Sequence, residues 1–184
     1  SGTPASPWVV SFPTAASSTS VTVSETQQTG FRFLSGSCVV THTDQSTTTY
    51  PLSSEAGTVD GVKPGESVAC TYTNRPIVGT ASWTKVDADQ PSSSLAGSEW
   101  TLTGPSFPSG LAVTDCTAAP CRGVDQDPVP GAFSVKGLTY GSYQLVETTA
   151  PVGFQLDSTA HAFNVSVDGQ TVVVGAFTNK RMIV

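Results

Sequence analysis

The chain has little charge, and positive charge is the scarcer sign. Its 184 residues include 8 Lys and Arg against 14 Asp and Glu, which gives a net charge of -6 and a charged fraction of 12%. In a typical globular domain, about a quarter of all residues are charged. A net negative chain with few, scattered basic residues lacks the electrostatic footprint of a nucleic-acid-binding protein, so we expect no nucleic-acid partner.

Long apolar runs are also missing. The longest are short stretches such as residues 172–174. A membrane-spanning helix needs roughly 20 consecutive apolar residues. We therefore expect no membrane partner.

Hydroxyl and turn-forming residues take up much of the chain: 24 Ser, 26 Thr, 17 Gly and 13 Pro. Apolar residues rarely recur at helical spacing, but polar and apolar residues alternate over the first five residues of the segment 20–25, and residues 67–73 and 163–167 are similar. This pattern predicts an all-β protein of short strands and tight turns. The dipeptide Asp168-Gly169 predicts a hairpin in which residues 171–177 run back beside the preceding strand.

Four cysteines allow three pairings. We predict the disulfides Cys38–Cys70 and Cys116–Cys121, because each pair then stays within one half of the chain. An even count in a Ser- and Thr-rich chain favours disulfides and an extracellular setting over free thiols. A metal site is the rival, but Cys116 and Cys121 have no second nearby pair and the two His show no ligand spacing, so we expect no metal and no cofactor.

The two halves of the chain contain an internal repeat. Residues 23–31 match residues 145–154 with one insertion, and each segment has Glu-Thr followed shortly by Gly-Phe. Residues 70–75 match residues 175–180 without a gap, and each ends in aromatic-Thr-Asn-basic. The repeat predicts two tandem Ig-like β-sandwich domains.

The boundary follows the first Asn of the repeat, which gives domains at residues 1–77 and 78–184. Glu147 lies 68 residues beyond Gly79, whereas only 24 residues precede Glu25. We therefore expect the first domain to be truncated or a shorter variant. We favour truncation, because the opening Ser-Gly-Thr reads as a cut.

Nearly all of residues 79–181 resemble a known family. The matching segments are residues 85–87, 95–102, 137–138, 143–154 and 177–180. The most specific of them is the box Glu-Thr-x-Ala-Pro-x-Gly-aromatic, which begins at Glu147. In these residues the second half resembles the Cna-type B domains, also called prealbumin-like or SpaA-like domains, of Gram-positive surface adhesins and pilins.

The resemblance implies a self-formed isopeptide bond between the Lys85 amine and the side-chain carbonyl of Asn179, with Glu147 as promoter. Burial in an apolar core would disfavour the ammonium and make Lys85 a nucleophile. The same burial would keep Glu147 a neutral acid that hydrogen-bonds the Asn179 carbonyl and moves protons. The reaction happens once per molecule and is not a turnover, so we do not expect this protein to be an enzyme.

The first half departs from this pattern. It has Glu25 and Asn74 at the matching positions, but its only lysine is Lys63, in a Pro-Gly turn. We therefore predict no isopeptide bond there, and we expect Cys38–Cys70 to hold this domain together. Closing that loop is worth roughly 3.7 kcal/mol in the chain-entropy estimate, against about 2 kcal/mol for the short Cys116–Cys121 loop.

Two hypotheses of function follow. The first is a structural stalk module of a cell-wall-anchored adhesin or pilin, outside the cell, whose partners are the adjacent domains of the same surface protein. The alternative is an adhesive module that recognises a host protein or glycan through its loops, above all residues 116–130, which hold three Pro and predict a surface loop.

Overall fold

The computed structural model describes residues 18–183. These residues form twelve β-strands and no helix, so the all-β prediction is confirmed. Within the same range, no helix is long and apolar enough to cross a membrane. The opening Ser-Gly-Thr, on which the expected truncation rests, lies outside the described residues.

The chain divides into two compact units. Unit 1 ends at Arg75 and unit 2 begins at Pro76. The predicted domain limits of 1–77 and 78–184 stay a prediction. Each unit is described by itself below.

Unit 1 consists of two small sheets. Its strands are β1 (Thr19–Ser24), β2 (Phe31–Thr41), β3 (Thr47–Leu52), β4 (Ala56–Val62) and β5 (Ser67–Pro76). The first sheet pairs β1 with β4 in antiparallel orientation. In the second sheet, β2 lies between β3 and β5.

The core of unit 1 is built around a disulfide. Cys38 is fully buried with Val40, Val59 and Val62, and it is bonded to Cys70 with the two Cα atoms 4.0 Å apart. The bond connects β2 to β5 within one sheet. The predicted pairing is therefore confirmed for this pair.

Unit 2 is a sandwich of two sheets. Its strands are β6 (Val78–Asp87), β7 (Glu99–Gly104), β8 (Phe107–Thr114), β9 (Ala132–Thr139), β10 (Gly141–Thr149), β11 (His161–Val165) and β12 (Thr171–Asn179). One sheet has the strand order β11-β10-β7-β8, and the other has the order β12-β6-β9. All pairs are antiparallel except β6 with β12, which are parallel.

Aromatic side chains fill the core between these two sheets. Trp83 of β6 stacks on Phe133 of β9 with the ring centroids 4.9 Å apart. Trp100 of the opposite sheet meets Trp83 edge-on at 5.9 Å. Because these rings are nearly inaccessible to water, the side chains that follow along β6 enter a dry interior.

The hairpin predicted at Asp168-Gly169 is wrong. A turn forms there, and Gly169 has a φ of 72°, but β11 pairs with β10 in one sheet while β12 pairs with β6 in the other. Backbone hydrogen bonds attach the turn to β6, from the Gly169 N–H to the Val78 carbonyl at 2.8 Å and from the Thr80 N–H to the Gln170 carbonyl at 2.8 Å. The local pattern located the strands and the turn, but tertiary packing chose each strand's partner.

Residues 116–130 form an irregular loop, as predicted, and contain no helix. Cys116 is bonded to Cys121, so the second predicted disulfide is confirmed. Asp125 is fully buried. Its side chain accepts hydrogen bonds from the backbone N–H groups of Cys116 at 2.9 Å, Ser134 at 2.8 Å and Asp127 at 3.0 Å. One carboxylate thus holds the base of the loop against β9.

Candidate functional site

Parallel pairing of β6 and β12 places Lys85 close to Asn179. The register aligns Phe177 with Lys85 and Asn179 with Asp87. Side chains two residues apart lie on the same face of a strand, so Lys85 and Asn179 are diagonal neighbours on the core face. Both are buried, as the alternation from Trp83 predicts.

Glu147 reaches the same point from the opposite sheet. It lies on β10, where it pairs with Trp100 of β7. Only 1% of the surface of Lys85, 1% of that of Glu147 and 2% of that of Asn179 is exposed to solvent. The fold thus brings together three residues that the sequence places in three distant segments.

The three side chains are in direct contact. Lys85 Nζ donates to Asn179 Oδ1 at 2.5 Å and lies 3.0 Å from Glu147 Oε1. Asn179 Nδ2 donates to both oxygens of Glu147 at 3.0 Å. Each polar group of the cluster therefore has a partner within it.

Burial lowers the pKa of Lys85 below its ordinary value of 10.5, because the ammonium loses its hydration. The hydrogen bond and the charge of Glu147 act in the opposite direction and offset part of this effect. The Trp100 ring, whose centroid lies 5.2 Å from Lys85 Nζ, also favours the charged form. Loss of hydration is the largest effect, so the environment on balance favours the neutral amine more than water does.

One contact differs from the expected arrangement. We expected Glu147 to hydrogen-bond the Asn179 carbonyl, but Glu147 contacts the amide nitrogen and the carbonyl oxygen faces Lys85. An amide oxygen can only accept hydrogen bonds and an amide NH₂ group donates them. The amide is therefore oriented with its oxygen toward the amine and its NH₂ group toward the carboxylate.

The Ala-Pro-x-Gly-aromatic part of the box supports Glu147. The Phe154 N–H donates to the Pro151 carbonyl at 3.0 Å and closes a turn. The chain then returns, and the backbone N–H of Asp157 donates to Glu147 Oε2 at 3.1 Å. The sequence did not predict the contact of Asp157, because every residue except proline has a backbone N–H and the residue type gives no indication of which one donates.

A second polar pair lies beside the cluster. Asp87 is fully buried, and its Oδ2 accepts hydrogen bonds from Arg181 Nε at 3.0 Å and Nη2 at 2.6 Å. Hydrogen bonds from the Asp89 backbone and then from Arg181 hold the pKa of Asp87 below its ordinary value. Arg181 also lies over the Phe154 ring at 5.4 Å. The pair thus ties the end of β6 to the residues after β12.

Unit 1 brings together only a Glu and an Asn at the corresponding place. Asn74 Nδ2 donates to Glu25 Oε1 at 2.8 Å, as Asn179 does to Glu147. Lys63 is exposed in the turn between β4 and β5. The structure therefore brings no lysine of unit 1 to this carboxylate and amide.

These features define a class: an all-β protein of two tandem units, of which the second is a two-sheet sandwich with a buried Lys–Glu–Asn cluster. A SpaA family model, described as a prealbumin-like fold domain, matches residues 79–180. A second model with the same description, SpaA_4, matches residues 1–76. The chain belongs to the SpaA prealbumin-like family, and the resemblance stated from the sequence is confirmed.

Several solved structures match this chain at low sequence identity. The Bacillus anthracis TIE protein matches at 17% identity and a TM-score of 0.49, over 90% of this chain and 34% of that one. The group B streptococcus pilus 2b backbone protein matches at 13% identity and a TM-score of 0.44, over 96% of this chain and 90% of that one. Domains D2 and D3 of the major pilin SpaD from Corynebacterium diphtheriae match at 12% identity and a TM-score of 0.45, over 88% and 91%.

This chain thus spans 34% of the TIE protein chain. No curated protein matches the sequence.

Proposed function

We propose that the chain is a structural stalk module of a cell-wall-anchored bacterial adhesin or pilin, stabilised by an isopeptide bond between Lys85 and Asn179 that forms without an enzyme. The observation that carries the proposal is the direct contact of both residues with Glu147 in the buried core. Its partners are the adjacent domains of the same surface protein, and its location is the cell surface.

The reaction is an amide exchange. The lone pair of the neutral Lys85 amine attacks the side-chain carbonyl carbon of Asn179, and the bond from that carbon to Nδ2 breaks. Lys85 and Asn179 become joined by a secondary amide, and one ammonia leaves. Atoms balance without a further reactant, because the amine supplies the nitrogen that replaces the one lost.

Glu147 is suited to carry the proton between the two nitrogens. Its Oε1 lies 3.0 Å from the attacking Nζ and 3.0 Å from the departing Nδ2. The carboxyl group can take up the proton that Nζ loses on attack and deliver a proton to Nδ2, which then leaves as neutral ammonia. The close packing also supplies the high effective concentration that an unactivated amide requires.

The bond suits a stalk because of the strands it connects. It joins β6, the first strand of unit 2, to β12, the last. Tension applied at the two ends of the unit then passes through covalent bonds instead of strand hydrogen bonds. In the loop-entropy estimate used for disulfides, a link of this span also adds on the order of 4.7 kcal/mol of stability.

Intact mass under reducing conditions tests the proposal. The expected mass is about 17 Da below the sequence mass, one ammonia, since the exchange expels the Asn179 nitrogen. Lys85→Ala and Asn179→Ala should each restore the full mass, while Lys136→Ala, on the exposed face of β9, should keep the deficit. A measured mass equal to the sequence mass for the unaltered protein would show that the bond does not form.

The loop at residues 116–130 favours a second candidate, an adhesive module for a host protein or glycan. Residues 117–120 are exposed, yet the disulfide closes their loop and buried Asp125 holds its base. A stiff exposed loop loses little entropy on binding, which favours recognition.

The structure refines the experiment for this candidate. Removing all of residues 116–130 would also remove Asp125 and disturb β9. Replacing only residues 117–120 by Gly and Ser, with both cysteines kept, changes these exposed residues but retains the disulfide and Asp125. In a screen against host-matrix proteins and glycans, loss of binding in this variant supports the adhesive candidate, and retained binding excludes the loop as the binding site.

A further inference from the structure

Unit 1 contains a polar cluster at the place that corresponds to the Lys85 cluster of unit 2. Glu25 and Asn74 occupy the same positions of the internal repeat as Glu147 and Asn179. Glu25 follows β1, which pairs with β4 as β10 pairs with β11. Asn74 lies near the end of β5, the last strand of unit 1, as Asn179 ends the last strand of unit 2.

Gln27 completes this cluster. Its Nε2 donates to Asn74 Oδ1 at 3.1 Å and to Glu25 Oε2 at 3.1 Å. Asn74 Nδ2 in turn donates to Glu25 Oε1 at 2.8 Å. The three side chains thus form a closed triangle of hydrogen bonds.

Each side of this triangle has a counterpart in unit 2. There, Lys85 Nζ contacts Asn179 Oδ1 and Glu147 Oε1, and the amide nitrogen of Asn179 contacts Glu147. Gln27 Nε2 therefore stands in unit 1 where Lys85 Nζ stands in unit 2. It reaches that point from the segment that follows β1, two residues after the carboxylate, instead of from a separate strand.

We propose that Glu25, Gln27 and Asn74 form a non-covalent clamp, in which the Gln27 amide takes the part of the lysine amine. The lone pair of an amide nitrogen is delocalised into its carbonyl, so Gln27 donates the same two hydrogen bonds but cannot attack Asn74. The clamp holds the Asn74 amide on the carboxylate without a chemical step. It does not depend on whether the bond in unit 2 forms.

The clamp connects parts of unit 1 that the disulfide does not. Cys38–Cys70 joins β2 to β5 within one sheet. The clamp joins the end of β5 to the segment that directly follows β1, and β1 is a strand of the other sheet. Unit 1 thus has a covalent link within one sheet and a hydrogen-bonded link between its two sheets.

Side-chain amide exchange in the unaltered protein gives a first test. By NMR, the NH₂ groups of Gln27 and Asn74 should exchange with solvent at least roughly tenfold more slowly than that of Gln28, because only exposed groups exchange freely. Gln28 is the matched control, since it is the next residue and is exposed. Equal rates for Gln27 and Gln28 would overturn the clamp.

Substitutions test the coupling between the residues. Gln27→Leu should lower the exchange protection of the β5 backbone amides about tenfold, the usual effect of losing hydrogen bonds to a charged group, whereas Gln28→Leu should leave it unchanged. Gln27→Leu added to Asn74→Ala should cause little further loss, because both substitutions open the same triangle. Fully additive losses, or equal effects of the two Gln substitutions, would contradict the proposal.

Discussion

Lys85 Nζ lies 2.5 Å from Asn179 Oδ1, although 94 residues separate the two along the chain. The contact exists because β6 and β12 are parallel neighbours whose register puts both side chains on the core face. Glu147 then enters from the facing sheet and touches both. The following expectations depend on this geometry.

Glu147→Gln should leave unit 2 folded but prevent most of the cross-linking. The amide preserves the shape of the side chain, but it replaces one accepting oxygen by an NH₂ group and cannot accept and release the proton. Loss of general acid–base help typically costs 10²–10⁴-fold in rate, on the order of 2.7–5.4 kcal/mol. The time course of the loss of about 17 Da by intact mass measures it. Glu99→Gln, at an exposed glutamate on β7, is the control, and equal time courses for the two variants would refute the role.

Mechanical unfolding should differ between the unaltered protein and Lys85→Ala. With the bond in place, the 94-residue span between Lys85 and Asn179 cannot extend under load. Without it, unit 2 should release roughly 310–340 Å of additional chain, since each residue extends by about 3.3–3.6 Å. Single-molecule pulling measures this length, and the same extension in both proteins would be inconsistent with a covalent load path.

Asn179→Ala should give unit 2 a stability that rises with pH. Without the amide no bond forms, so Lys85 stays free with a pKa that burial holds below 10.5. As the pH rises toward 10.5, the unfolded state still binds the proton that the folded state has lost, so the free energy of unfolding increases. Urea unfolding of unit 2 between about pH 7 and pH 10 measures the slope.

The control for this slope is the double variant Lys85→Met with Asn179→Ala. It lacks the titrating amine but retains the other ionisable groups of the unit. Its stability should therefore change less over the same pH range. Parallel curves for the two variants would show that Lys85 titrates normally in the folded state.

Arg181→Ala should reduce the yield of cross-linked protein several-fold. The substitution leaves buried Asp87 without its guanidinium partner and frees the chain after β12, so Asn179 is held less firmly against Lys85. Water that enters there would raise the pKa of Lys85, and the yield should recover as the pH is raised. Arg181→Lys should restore part of the yield, and Lys180→Ala, at the exposed neighbour, should match the unaltered protein.

Removing the two disulfides should have unequal effects. Replacing Cys38 and Cys70 by Ala should lower the stability of unit 1 by about 3–4 kcal/mol, because this bond closes the longer loop. Replacing Cys116 and Cys121 should cost no more than about 2 kcal/mol and affect only the loop. Hydrogen exchange resolved by peptide measures both, and equal effects on unit 1 would contradict the assignment.

Much of the fold could be predicted from local pattern. The alternation in residues 20–25 and 67–73 became β1 and β5, and the three Pro of residues 116–130 marked a loop. The turn at Asp168-Gly169 was also found, but the pairing across it was wrong. A two-residue periodicity records which face of a strand is buried, and it contains no information about the neighbouring strand.

The candidate site divides in the same way. Residue identity and the family box pointed to Lys85, Glu147 and Asn179. Three contacts could not be predicted from the sequence: the backbone donor of Asp157, the Asp87–Arg181 pair and the hydrogen bonds of Gln27 in unit 1. These contacts depend on where loops return in space and on distances of about 3 Å, which residue types do not specify.

The sequence by itself determined the strand-rich class, the two repeated halves and the scarcity of lysine that singles out Lys85, and it favoured the cysteine pairs that the structure contains. Only the tertiary structure decided that β6 and β12 run in parallel, that Lys85 and Asn179 are buried, and that an amine, an amide and a carboxyl group meet there. The reason is physical, because burial and contact are properties of packed strands rather than of any one segment.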